Sequence, residues 1–276
     1  MKNIKSIVGV LLVICMVFAI ASCASKTNSQ IIRAAFDKTR ANGFAADAKV
    51  NGNAGEETME VTLKVRSDKD LKTVFLEMSE NGSGINMYLA DDVAYVDMNL
   101  GIMAMKIKTD LKDAASMVGV DAAEDAPSVA DFRALENDEA VNKEIDALLD
   151  KATVEDTADG KVYSVDFTAD SFKTIIEKLK ISEDQLKSFK KGSAKITVDK
   201  SGYVSKAIVT IESEAEGVTV PVTFDVTFKD LGKAPDLTAP SDLDQYKDAS
   251  ELSNMFGGGE DLTEGDDSMD FSDLSE

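Results

Sequence analysis

The sequence predicts an α+β protein built on a curved antiparallel β-sheet, an unclosed half-barrel, with helices covering its concave side. Three observations lead there. Apolar and polar residues alternate over many short segments, from Glu57 to Ile107 and again from Lys161 to Phe228. That period of two marks strands with one buried face. Only three or four modest amphipathic helices accompany about nine or ten such strands, too few to cover a flat sheet. A sheet that closes partway on itself shields part of its own apolar face. Some 250 residues follow Cys23, enough for one large domain of this kind.

The elements follow in order. Residues 27–43 read as a helix, with Ile31, Ile32, Ala35, Phe36 and Thr39 at helical spacing and Asn42-Gly43 as the stop. In "ETMEVTLKVRS" Met59, Val61, Leu63 and Val65 share a face, opposite Glu60, Thr62, Lys64 and Arg66. "TVFLEMS" groups Val74, Leu76 and Met78, and "GINMYLA" groups Ile85, Met87 and Leu89. "VAYVDM" and "GIMAMKI" complete the run, with turns at Asp91-Asp92 and Asn99-Leu100-Gly101.

The middle reads as helix from Val129 to Leu149, entered after Pro127-Ser128 and marked by Phe132, Leu135, Val141, Ile145 and Leu148. A strand "KVYSVDFT" and a short helix "DSFKTIIEKLK" follow, the helix capped by Asp170 or Ser171. The last block is "SAKITVD", a turn at Asp199-Lys200-Ser201-Gly202, "YVSKAIVTIE" and "VTVPVTFDVTF". Pro221 gives no ladder hydrogen bond, so its strand is expected near an edge, or the proline at an open position. After Pro240 the pattern dissolves, and residues 248–276 read as a disordered acidic tail.

The N-terminus fixes a location. Lys2 and Lys5 precede an uncharged apolar run from Ile7 to about Ala21, shorter than the roughly 20 residues of a membrane helix. Basic start, apolar core and small residues at the end describe a secretory signal. "IASC" resembles the lipobox of bacterial lipoproteins, in which the cysteine thiol becomes a thioether to diacylglycerol. Residues 1–22 are then a signal peptide, and Cys23 the lipidated first residue. Residues 23–30 form its tether and 31–247 the domain. The expected place is the extracytoplasmic face of the cell membrane, reached through the N-terminal lipid; Cys15 is discarded with the signal.

Composition narrows the function. The chain carries 51 acidic and 30 basic residues, no histidine and no tryptophan. A net charge of −21 argues against nucleic acid, which is held by basic side chains on phosphates. From Ser241 onward 12 acidic residues face one lysine. Without histidine or a mature thiol, Ser-His-Asp and Cys-His catalysis and imidazole metal sites cannot be built. Ser188 to Lys191 is the one Ser-x-x-Lys spacing, in a charged segment expected to be loop. "DLTEGDDSMDFSD" lacks the ordered glycine and final glutamate of a calcium hand. Carboxylate-only hydrolysis ranks last, Asp97 being its one ambiguous residue. The expectation is no enzyme, no metal and no cofactor.

Methionine suggests where a ligand would lie. Met78, Met87, Met98, Met103 and Met105 crowd into 28 residues, and thioether side chains adapt to varied apolar partners. Core filling in a chain without tryptophan is the favoured reading of them, ahead of ligand lining, because methionine adapts equally well to irregular packing. The cavity candidates are Leu76, Met78, Met87, Leu89, Met103, Met105, Phe224 and Phe228.

Three phrases carry a family likeness: "LADDVAYVDM", "AKITVDKSGYVSKAIVTI" and "FKDLGKAPDLTAPSD". With the order of elements they make residues 30–247 resemble the lipoprotein-carrier (LolA-like) superfamily and the lipid-binding lipoproteins of mycobacteria. Where such proteins commonly carry a tryptophan after the tyrosine strand, this chain reads "NLGIMAMKI". The resemblance implies an unclosed barrel holding acyl chains or lipidated cargo, without enzyme activity. The alternative is a surface interaction module with a solid core, whose acidic tail meets a partner of unknown identity.

Overall fold

A computed structural model describes residues 27–54, 57–80, 83–90, 93–99, 104–110, 135, 138–178, 189–215 and 218–249. The strands are β1 (Phe44–Ala54), β2 (Glu57–Ser67), β3 (Thr73–Glu80), β4 (Ser83–Ala90), β5 (Val93–Asn99) and β6 (Ala104–Asp110). There follow β7 (Thr153–Asp156), β8 (Gly160–Phe167), β9 (Phe189–Asp199), β10 (Val204–Ala215), β11 (Val218–Lys229) and β12 (Lys247–Asp248). The described helices are α1 (Asn28–Arg40), α2 (Glu139–Leu149) and α3 (Lys173–Lys178). All twelve strands form one open sheet in the order β12-β6-β5-β4-β3-β2-β1-β11-β10-β9-β8-β7. Two meanders meet at its centre: β1 to β6 runs outward, β7 to β11 runs back, and β11 pairs antiparallel with β1. Only β12 is parallel to its neighbour, β6.

The central strand β1 is one that alternation does not single out. Ala46, Ala48, Val50 and Gly52 are its buried residues and Asp47, Lys49 and Asn51 its other face. Alanine, asparagine and glycine are poor strand formers; pairing along both sides with β2 and β11 overrides that preference. Short β7 is likewise added by its pairing with β8.

Several boundaries need correction. The middle helix is broken rather than continuous: Leu135 is helical, but the helix that runs to Leu149 begins at Glu139, because Asp138 is extended and its carboxylate accepts the N–H of Ala140 and Val141. Residues 111–134, with the expected entry at Pro127-Ser128, lie outside the described residues. The helix after β8 opens as a 3-10 turn, Ala169–Phe172, capped by Thr168 rather than Asp170 or Ser171. The Ser171 hydroxyl accepts the Thr168 N–H at 3.1 Å. Phe189, Lys190 and Lys191 are strand, not loop, because Lys190 and Lys191 pair with Glu214 and Glu212 of β10. Pro221 is not near a sheet edge, since β11 lies between β1 and β10. It meets the open position instead: the β1 register ends at Gly52↔Val222, one residue short of it. Past Pro240, where the alternation ends, Leu243–Gln245 form a 3-10 turn inside the expected domain, and β12 (Lys247–Asp248) reaches one residue into the expected tail.

The buried apolar residues fall into two clusters. The larger lies under the helices, where Ile32, Ala35 and Phe36 of α1 and Val141, Ile145, Leu148 and Leu149 of α2 meet the apolar faces of β8 to β11 and Val50 of β1. The smaller centres on Leu89, Ala94, Val96, Met98 and Ile107 of β4 to β6. Ile31, expected inside, is 39% exposed, whereas Arg33 is 3% exposed. Arg33 is ion-paired with Asp146, and its guanidinium donates to the Asn142 side-chain oxygen and carbonyl, each at 3.0 Å. Helix α1 leaves the core at Gly43, whose φ of +85° suits glycine and where a Cβ would lie 2.4 Å from the Ser67 carbonyl.

Candidate functional site

Strand pairing gathers the apolar side chains of β2 to β6 into transverse rows. Leu63, Met78, Ile85, Met98 and Met105 oppose one another in sequence across five strands. Val65, Leu76, Met87, Val96 and Ile107 form the next row, and Val74, Leu89 and Ala94 a third. Side chains of directly opposed residues touch, so each row is a continuous apolar ridge.

Exposure varies along these rows. Toward β5 and β6 the residues are closed off: Ala94 and Val96 are fully buried, Ile107 is 4% exposed and Met98 7%. Toward the sheet centre, Val50 and Phe224 are buried beneath the helices. Between these two buried regions Val61, Leu63, Val65, Val74, Leu76, Met78, Ile85 and Met87 are only half-buried. They make an apolar strip across β2, β3 and β4, flanked on each side by a packed core.

Five of the residues selected from sequence come together on this surface. Leu76, Met78 and Met87 lie in the strip, Leu89 is buried beside it, and Met105 packs half-buried against the smaller cluster. Two others lie elsewhere. Phe224 belongs to the helix-covered core, and Phe228 makes edge contacts with Phe36 at 6.3 Å and Phe44 at 6.2 Å. Met103 and Cys23 lie outside the described residues. Sequence reasoning did not select Val61, Leu63, Val65, Val74 and Ile85. Alternation places each on the right face, but the pairing register that gathers them into one strip with Leu76 and Met87 is set by tertiary structure.

The opposite face of the same strands is polar and aromatic. Arg66, Phe75, Tyr88 and Tyr95 form a row, with ring centroids 4.7 Å apart for Phe75–Tyr88 and 5.9 Å for Tyr88–Tyr95. Arg66 stands 4.8 Å above the Phe75 ring, and Glu77 accepts from Lys64 at 3.1 Å and from Arg66 at 3.3 Å. The chain after β11 straps this face. Its Tyr246 ring meets Tyr95 at 5.6 Å, and Asp242 is ion-paired with Lys106. That hydrogen bond raises the Lys106 ammonium pKa and lowers that of Asp242. Burial, then the charges of Asp97 and Asp242, push the Tyr246 phenol up. Asp97 sits on this face opposite Asn86 and Lys106, away from the apolar rows.

The chemistry available on the strip is burial. The buried polar or charged residues described are Ser29, Arg33, Thr39, Ser67, Thr109 and Ser213, with no carboxylate among them. Among the described residues no three His, Cys, Asp or Glu side chains are grouped to hold a metal ion. None of the described helices is long and apolar enough to cross a membrane.

No family model matches the chain, and no curated protein matches it. Among solved structures it is similar to a DUF1329 family protein from Desulfovibrio piger, at 11% identity over 84% of this chain and 94% of that one, TM-score 0.24. It is also similar to a LolA superfamily protein from Nitrosomonas europaea, at 12% identity over 81% and 99% of the two chains, TM-score 0.26. A porin-like protein from Bacteroides uniformis matches at 8% identity over 68% and 96%, TM-score 0.23. Superpositions this loose carry no weight for function, which rests on the strip itself.

Proposed function

We propose that this chain is a lipid-anchored protein of the extracytoplasmic membrane face that holds an acyl chain or similar apolar ligand on the β2–β4 strip. One observation carries the reading: eight large apolar side chains, seven of them aligned by register across β2 to β4, stay half-buried between two packed cores. A contiguous apolar surface of this kind marks a site for an apolar partner. An acyl chain laid there gains about 0.8 kcal/mol for each methylene removed from water. Met78 and Met87 allow the surface to adapt to chains of different shape. Anchoring through Cys23 keeps the domain beside a bilayer, the source and sink of such ligands. No reaction is part of this reading.

Organic extracts of the purified chain, produced with Cys23 deleted so that no covalent lipid contributes, test it by mass spectrometry. Lipid is expected to co-purify, and Met87→Asp, which sets a charge in the strip, is expected to lose it. Absence of lipid together with failure to bind apolar fluorescent probes would exclude the proposal.

A further inference from the structure

The end of the molecule nearest the anchor has its own composition. Thr27, the first described residue, caps α1. Three residues separate it from Cys23, so across four Cα steps it lies within about 14 Å of the anchored residue even with that segment extended. At this end α1 is fixed to the segment leading into β7. The Asn28 amide donates to the Ala152 carbonyl and the Ser29 N–H to the Asp150 carboxylate, both at 2.9 Å. Burial acts to raise the Asp150 pKa, but the Ser29 N–H and the side chains of Ser29 and Thr27 outweigh it and lower it.

Three large hydrophobic side chains are exposed among the described residues: Ile31 at 39%, Leu71 at 39% and Val154 at 44%. Two of them flank this junction. Ile31 is one helical turn beyond Asn28, about 5–6 Å along the helix surface. Val154 is two strand residues beyond Ala152, about 7 Å. Val154 opposes the buried Tyr163, which places it on the helix-bearing face of the sheet with α1. The charged neighbours are of both signs: Lys151 is exposed, as are Asp150, Glu155 and Asp156, and Lys26 precedes the cap. Leu71 lies in the β2–β3 turn, six strand spacings from β7, about 29 Å along the sheet.

We propose that the start of α1 and the start of β7 form the membrane-facing end, with Ile31 and Val154 entering the interfacial layer of the bilayer. This rests on the anchoring reading above and adds an orientation to it. The occupant is a lipid surface because the tether leaves this end no room to stand away from one. Both side chains are aliphatic and already exposed, so they enter the interface without disturbing the core.

The test uses the full chain processed in bacteria and reconstituted in phosphatidylethanolamine–phosphatidylglycerol vesicles. Ile31→Cys, Val154→Cys and Leu71→Cys are each labelled with an environment-sensitive fluorophore, Cys23 being blocked by its lipid. Intact mass reads the state of Cys23 independently. With Cys23 lipidated, labels at 31 and 154 are expected to shift to the blue and lose emission to nitroxide-bearing lipids, while the label at 71 does neither. A lipidated chain in which 31 and 154 stay unquenched, or in which all three respond alike, overturns the orientation alone. An unmodified Cys23 overturns the anchoring reading and the orientation with it.

Discussion

Asp68 illustrates how much one carboxylate organises. It accepts backbone N–H groups of Asp70, Lys72 and Thr73 at 2.9, 3.0 and 2.8 Å, closing the turn between β2 and β3. Burial acts to raise its pKa, but the backbone donors and the Thr73 hydroxyl outweigh it and hold the group below the ordinary 3.8. A folded pKa below the unfolded one gives stability that is complete above 3.8 and lost as pH falls through the lower folded value. The urea midpoint should therefore fall on acidification below about pH 4, and less steeply in Asp68→Asn. The variant should also be less stable at neutral pH, since a carboxamide accepts these donors more weakly. Parallel acid profiles for the two proteins would contradict this role. At this scale the sequence is a good guide to turns. Asp199-Lys200-Ser201-Gly202 closes as expected, with Gly202 at φ +81° and the Asp199 carboxylate accepting from Ser201 and Tyr203. It misplaces Ile31 because α1 is covered by α2 as well as by the sheet. The buried arc therefore turns toward Ser29 and Arg33, and one-sided periodicity cannot foresee a second covering element.

Elements hold their places through a few polar ties as well as through burial. Helix α1 is fixed at its start by Asn28 and Ser29, midway by Arg33, and near its end by Thr39. The Thr39 hydroxyl donates to the Ala35 carbonyl at 2.7 Å and accepts the N–H of Val204 at 2.9 Å. Val204 is fully buried, so Thr39→Val leaves its N–H without that partner. Chemical denaturation should show a loss of about 1–3 kcal/mol, and a loss below a few tenths would mean the bond is dispensable. The strands with clean alternation, β2 to β5 and β11, were readable from sequence because one face of each is apolar. Strand β1 was not, because its inward residues Ala46 and Ala48 are small and its far end reads Asn51-Gly52-Asn53. Its place comes from two long partners, a relation between distant segments that local pattern does not carry.

At the scale of the whole molecule, two meanders zipped along β1 and β11 give one sheet with an apolar and a polar side. The described helices gather over one half, and the smaller cluster closes the far end of the other. The half-exposed strip is what remains between them. Its constituents were visible in the sequence as one-sided strands rich in methionine, and five of the eight residues chosen there meet on the same surface. Phe224 and Phe228 were drawn away because bulky aromatics on an apolar face serve equally to fill a helix-covered core: Phe228 meets Phe36 of α1 and Phe224 is buried in that core. The central claim is that the strip receives an apolar chain. Methyl-labelled methionine NMR, with dodecylphosphocholine added below its micelle concentration, reads this directly. The methyl signals of Met78 and Met87 should move in a saturable way, with smaller changes at buried Met98. Unmoved Met78 and Met87 signals at saturating ligand would contradict the account.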